Sequence, residues 1–566
     1  MTILITNIGT SDLAVKINGL DYYVPIFERD EPNEEKSSLT PEQLKVWEQR
    51  NKYIAEGICQ ELNVAVTEKD NKGKKYFDFS FRELTDKLRS AYQENPELWH
   101  SRICPSRIGG AIAQAKQQFA VQQVHIFVTN QKPLHKDDTI YLFDILKDWF
   151  QREIPDIKLI CEQIPAEMPA IDQDKLLDYF YHFFQQNISY DSTLLVNIKG
   201  GTPQMQTALK MQAISYPTQH LMFIDPQFSI GQTFAGKFST CKRNPYWRYM
   251  RVQKYQTVQQ LLERWDFEAA KQILNQWLET LEYFSKFDIL DIAESQKTIE
   301  VVIQALEIAI CYFNLDDVGA RKIIFSNPQL DSFKQFATNY DKLLNLYTQC
   351  RIYWELNQVA NFLSRMSSFC EETLHYLINK LGGLKYFDRV NYPNDWYLDK
   401  GKVETPLWRY FAKNEEQDNE KFKDWDFQRK PKYRLPGRFS KWNFVDAMIS
   451  FRDRPKEIRS WEAISNSLNL LDYWVDKRNE LIHSASGVSK QSMAEFLAKD
   501  RENEEELITC DRDNILTEIT NIGRQTSQLL NQAKSPYIGL DSNVRYYIYS
   551  DVREWAIERL KKDGLQ

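Results

Sequence analysis

Thr193-Leu194-Leu195-Val196-Asn197-Ile198-Lys199-Gly200-Gly201-Thr202-Pro203-Gln204 changes from one kind of structure to another within twelve residues. The opening run is short, apolar and without period-two alternation, which suits a strand buried on both faces of a parallel sheet. Thr202 is a good helix N-cap and Pro203 suits the first helical position, and Met205, Ala208, Leu209 and Ala213 then share one helix face. Two glycines ahead of a helix N-terminus let backbone approach a phosphate, where unpaired N–H groups and the helix dipole favour negative charge, and Lys199 adds a cation. Gln204 falls in the first turn. The spacing is neither a Walker A loop nor a Gly-x-Gly-x-x-Gly fingerprint, so no mononucleotide or dinucleotide cofactor is indicated. A tight strand-to-helix turn that binds nothing is the competing reading.

Working outward, similar strand candidates occur at 1–8, 124–129, 157–164 and 220–224, separated by amphipathic stretches long enough for helical crossovers. An open α/β sheet of Rossmann type, mostly parallel, is the expected fold of residues 1–240. Ligands of such sheets sit beyond the carboxyl ends of the strands. Three polar loops fall there: Asn7-Ile8-Gly9-Thr10-Ser11-Asp12; Thr129-Asn130-Gln131, followed by His135 and the pair Asp138-Thr139; and the Asn197–Gln204 loop. The polar stretch Glu28–Ser38 reads as a solvated surface loop.

After Gly231, Gly236 and Asn244-Pro245 the pattern changes. Helical periodicity dominates from about residue 250 (252–284, 298–313, 351–381, 461–483 and 514–533), so residues 250–566 are expected to form an all-α domain. A charged, Trp/Tyr-rich insertion at 385–445 is expected to hold little regular structure. Within 461–483, Ile464, Leu468, Leu471 and Val475 step by four, three and four, and continuing the pattern gives Arg478 and Ile482. Arg478 thus occupies a position that the period assigns to a buried or interface face, where an arginine is costly unless it is paired or faces a polar cavity. Asn479 and His483 are neighbours at i and i+4. Pairing of Arg478 with Asp472 or Asp476, and of His483 with the last helix carbonyls, is the structural alternative. Arg429 to Trp442 mixes basic and aromatic residues, as single-stranded RNA contacts do, although a solvated or packing role is favoured.

The 566 residues carry 72 Lys and Arg against 79 Asp and Glu, a formal charge of −7 that leaves any nucleic-acid contact local. An aromatic share of 13% excludes a disordered chain. The eight cysteines form no Cys-x-x-Cys pair and the seven histidines never fall at metal-ligand spacing, so free thiols in a reducing cytoplasm, without a metal site, are expected. No apolar run approaches the roughly 20 residues of a membrane span, so no membrane association is expected. The opening Met1-Thr2-Ile3-Leu4-Ile5 reads as a strand and not as a signal peptide.

Together the two halves resemble the CRISPR-associated ancillary ribonucleases of type III systems, the Csm/Csx group. Gly9-Thr10-Ser11 is similar to the family's first-strand loop, and Thr129-Asn130-Gln131 to its Thr-Asp-Gln segment, with Asn130 where an Asp is common. Lys199-Gly200-Gly201-Thr202-Pro203 is similar to its glycine-rich loop, and Arg478-Asn479 with His483 matches the Arg-x(4–6)-His signature. The resemblance implies a CARF-like sensor of cyclic oligoadenylate, tetra- or hexa-adenylate, at 1–240. It also implies a HEPN-like, metal-independent endoribonuclease at 250–566, acting on single-stranded RNA as a prokaryotic, cytoplasmic homodimer in antiviral defence, with no cofactor. Arg478, Asn479 and His483 would be catalytic. Gly9, Thr10, Ser11, Thr129, Asn130, Gln131, Asn197, Lys199, Gly200, Gly201, Thr202 and Gln204 would line the ligand cleft, with Asn130, Gln131 and Asn197 reading adenine edges. A sensor that does not cut, or a phosphodiesterase acting on the cyclic ligand, are the alternatives.

Overall fold

The computed structural model describes residues 2–28, 39–71, 74–218, 220–287, 289, 291–391, 395–483, 488–503 and 513–565. The chain divides into two compact units, 1–253 with 276–293, and 254–275 with 294–566.

The first unit is built on a six-stranded sheet. Its strands are β1 (Thr2–Asn7), β2 (Gln123–Val128), β3 (Lys158–Gln163), β4 (Thr193–Asn197), β5 (His220–Pro226) and β6 (Cys241–Asn244). In space they run β6-β5-β4-β1-β2-β3, all parallel except β6. The five expected strands are all present. The helices α1 (Phe81–Glu94), α2 (Ser106–Phe119), α3 (Ile140–Glu153), α4 (Gln173–Asn187) and α5 (Pro203–Ser215) lie between them in sequence. β1, β2 and β4 are buried almost end to end, whereas the edge strand β3 alternates exposed and half-buried positions. The far edge is closed by β6, whose Cys-Lys-Arg-Asn sequence gave no strand signal.

Strand order reverses at β1, which pairs with β2 on one side and β4 on the other. Such a switch point is the usual ligand-binding position of an open α/β sheet. Here the two glycine loops meet backbone to backbone. A Cβ on Gly9 would lie 2.8 Å from the Gly201 nitrogen, and one on Gly200 would lie 2.9 Å from both the Gly9 nitrogen and the Ile8 carbonyl carbon. Gly200 and Gly201 also adopt φ of 90° and 70°, a region that side chains disfavour.

A few pieces fall outside this frame. Residues 14–16, 23–25 and 103–104 form a small antiparallel sheet, and 66–71 with 74–79 form a hairpin. Glu28, expected on a solvated loop, is buried and ion-paired with Arg107. The rest of that stretch, residues 29–38, lies outside the described residues.

The second unit is helical around one hydrophobic cluster. Its central helices are α6 (Lys342–Glu355), α7 (Val359–Lys380), α8 (Thr405–Asp418), α9 (Arg438–Arg452), α10 (Pro455–His483) and α11 (Ile515–Leu529). α10 packs against α7, α9 and α11. The 385–445 segment corrects the expectation of little regular structure. It supplies β7 (Phe387–Asn391), β8 (Asp395–Asp399) and β9 (Lys432–Arg434), an antiparallel sheet, together with α8 and the start of α9. Alternation places Trp396, Leu398 and Tyr433 in the helical core. In the basic stretch the same packing consumes Tyr433 and also Lys441, which is buried and paired with Glu371 at 2.6 Å.

Gly200→Ala is expected to lower the unfolding midpoint of the α/β unit more than Gly19→Ala. Both positions have positive φ, but nothing lies within 4 Å of a Cβ on Gly19. Backbone strain alone costs roughly 1–2 kcal/mol, and the collisions at Gly200 add about 1–3 kcal/mol. Urea titrations followed by circular dichroism would show the gap, and equal midpoints would remove the loop contact as its source.

Candidate functional site

The three expected loops follow β1, β2 and β4 at the carboxyl edge of the sheet. Thr202 caps α5, its hydroxyl accepting from the Met205 N–H at 3.2 Å and donating to the Ala170 carbonyl. Met205, Ala208, Leu209 and Ala213 are buried beneath it. Lys199 is one-third exposed, with its amine 3.9 Å from Asp225. Gln204 is half-buried, as are Gly201, Thr10 and Ser11, whereas Gly9 and Gly200 are buried.

Asn197 is fully buried. Its amide donates to the Thr6 hydroxyl at 3.0 Å, across the β1–β4 seam, and accepts from the Lys199 N–H at 3.0 Å. An amide so engaged shapes its own loop, and the expected reading of an adenine edge does not fit its place.

The second loop is organised by Asp138, which the sequence flagged only as one of a pair. Its buried carboxylate accepts from the Gln131 N–H, the His135 N–H and Arg82 Nη1 at 3.0–3.1 Å, and from Gln131 Nε2 at 3.3 Å. Arg82, on the first turn of α1, also donates to Asn130 Oδ1 at 2.9 Å and lies over the Tyr141 ring at 5.0 Å. Thr129 is buried and exchanges bonds with Thr139. The Gln131 side-chain oxygen Oε1 accepts from the Ala170 N–H at 3.1 Å. Gln131, like Asn197, therefore serves as a strut and not as a reader of base edges. Through Ala170, which bonds both Gln131 and Thr202, the second and third loops are tied together. Arg82 carried no sequence signal, since its partners lie 48 and 56 residues away.

Below the first loop, Asp12 accepts from the Gly9 N–H at 2.7 Å. Burial pushes its carboxyl up to about 7, against the opposing pull of the Gly9 N–H and of Arg107.

In the helical unit, Ile464, Leu468 and Leu471 are fully buried, and the stripe continues through half-buried Val475 to half-buried Arg478. Arg478 Nη1 donates to the Ser367 hydroxyl of α7 at 2.8 Å. Asp472, one of the two carboxylates considered for Arg478, pairs instead with Arg438 at 2.5 Å, and its burial raises its carboxyl to about 6. α10 is described through His483, but the side chains of Asn479 and His483 lie outside the described residues. Among the described residues no group of three or more His, Cys, Asp or Glu could hold a metal, and no helix is long and apolar enough to cross a membrane.

Solved structures similar to this chain include one matched over most of its length. It is Enterococcus italicus Csm6 bound to cyclic hexa-2'-fluoro-hexa-dAMP, at 14% sequence identity and a TM-score of 0.46, the likeness covering 80% of this chain and 95% of that one. No family model matches the chain, and no curated protein matches it.

Asp12 makes the first loop sensitive to pH in a defined direction. Its folded-state value of about 7 stands above the roughly 3.9 of an unfolded aspartate. Its contribution is therefore fully present below about pH 4 and is lost as pH rises through 7. Relative to wild type, Asp12→Asn is expected to gain stability between pH 5 and pH 8, by a few kcal/mol at most. Melting curves of both proteins across that range test it, and parallel pH profiles would refute it.

Proposed function

We propose that the chain is a metal-independent endoribonuclease of single-stranded RNA, activated by a cyclic oligoadenylate bound at the carboxyl edge of the α/β sheet. The observation that carries the chemistry is Arg478, a half-buried guanidinium at the end of an apolar helix stripe, held by a neutral hydroxyl and followed at i+5 by a histidine. Such an arrangement suits a phosphate that gains charge during reaction.

In the proposed reaction the RNA's 2′-hydroxyl gives up its proton, to His483 or to water, as its oxygen attacks the adjacent phosphorus. A 2′,3′-cyclic phosphate forms, the bond to the 5′ oxygen breaks, and that oxygen takes up a proton. Arg478 stabilises the extra negative charge of the five-coordinate phosphorus. His483 transfers protons, a task to which an imidazole is suited near neutral pH, and Asn479 positions the phosphate or the imidazole.

The sensing half of the proposal rests on the loops at the switch point. Lys199 and the first turn of α5 offer positive charge to a polyanionic ring, while Thr10, Ser11, Asn130 and Gln204 form its polar lining. A rotationally symmetric ligand suits a cleft made by two copies of that edge, so the active form is proposed to be a homodimer. A ring that favours one of two poses of the protein would then bias cleavage.

A fluorescent single-stranded RNA, incubated in EDTA with cyclic tri-, tetra- or hexa-adenylate in turn, provides the test. One ring size should stimulate cleavage, and Arg478→Ala/His483→Ala should reduce it by at least about 100-fold, the usual cost of losing transition-state charge stabilisation. Failure of every ring, or a cleavage rate indifferent to the double substitution, would overturn the proposal.

A further inference from the structure

Arg478 has a named support on the neighbouring helix, and it is not one of the residues in the Arg-x(4–6)-His pattern. Ser367 lies in the middle of α7, and its hydroxyl oxygen accepts from Arg478 Nη1 at 2.8 Å in a partly buried setting. α7 is itself well fixed. Its Phe362, Leu363, Met366, Phe369, Cys370 and Leu374 are all fully buried. Four residues beyond Ser367, Glu371 pairs with the buried Lys441 of α9 at 2.6 Å. The hydroxyl is thus presented from a rigid surface on which the serine backbone has little freedom to move.

An arginine side chain carries about 2 kcal/mol of rotamer entropy, and a guanidinium acts on a phosphate through a planar fork whose direction matters. We propose that Ser367 is a positioning residue for Arg478, orienting its guanidinium before the phosphate arrives. This inference rests on the reading of Arg478 as the group that stabilises the reacting phosphate. A serine has the right chemistry for the task. Its oxygen accepts a single N–H, and it brings no negative charge that would offset the cation. A carboxylate at the same place would orient the fork equally well but would neutralise it.

The test compares ring-activated RNA cleavage by wild type, Ser367→Ala, Ser367→Thr, Arg478→Lys and the Ser367→Ala/Arg478→Lys pair. Ser367→Ala should lower kcat by about 10-fold, within the range expected when a reacting group is misplaced by an ångström or less, with KM for RNA changed by less than about twofold. Ser367→Thr, which keeps the hydroxyl, should restore most of the rate. In the Arg478→Lys background the Ser367→Ala change should cost much less than it does alone, because the contact it removes is already altered. Melting temperatures separate this from a loss of packing, since a structural role would lower stability and would penalise the bulkier threonine. Wild-type activity abolished by Arg478→Ala but unaffected by Ser367→Ala would overturn this inference alone. An inactive wild type, with every ring tested, would overturn the proposed function and this inference with it.

Discussion

The carboxyl edge of the α/β sheet depends on the contact between two stretches of bare backbone, Gly9 on one side and Gly200-Gly201 on the other. A single methyl on Gly9 or Gly200 would fall within 3.0 Å of main-chain atoms of the opposing loop, a separation that neither loop could relieve without pulling β1 from β4. The strand order places these loops side by side, because β1 is the strand at which chain direction across the sheet reverses. The glycines look at first like an adaptation to an incoming phosphate. Their small size is used instead by each other.

The loops are also held by polar bonds that would be expensive to leave incomplete. Asp138 is wholly buried and is satisfied by two backbone N–H groups, a guanidinium and an amide. A buried carboxylate with fewer partners would cost several kcal/mol, so the 129–139 loop is committed to one shape. Gln131 passes that shape to Ala170, and Ala170 passes it to Thr202. Two of the three loops are therefore preorganised, and a ligand meeting them pays little for ordering them.

This division explains which parts were legible in the sequence. Five strands and the Thr202 cap announce themselves locally, through apolar runs and through a Thr-Pro pair at a helix start. Residues whose role is set by a distant partner do not. Glu28 sits in a charged stretch and reads as solvated, yet its carboxylate is buried against Arg107, 79 residues on. Arg82 has no motif around it. Asn197 and Gln131 were correctly placed at the strand ends, but side-chain direction decides whether an amide faces a ligand or braces a loop, and spacing cannot supply it. In 385–445 the dense mixture of aromatic and charged residues hid three short strands. On the strands Phe387, Trp396 and Tyr433 point inward to the helical core, while outward pairs such as Lys432 with Asp388 keep the charge.

α10 shows how a single periodic pattern can serve two purposes. From Ile464 to Leu471 the three-four stepping builds core, and each residue on it is hidden from solvent. By Val475 and Arg478 the same face has risen to half-burial, so the helix delivers a guanidinium to a boundary where water is partly excluded. Deeper in the core the desolvation penalty would demand a carboxylate partner, as it does for Arg438 and Asp472. Fully in water, the charge would be screened and would act weakly on a phosphate. The intermediate position lies between those limits, and there the hydroxyl of Ser367 on α7 accepts from the guanidinium at 2.8 Å.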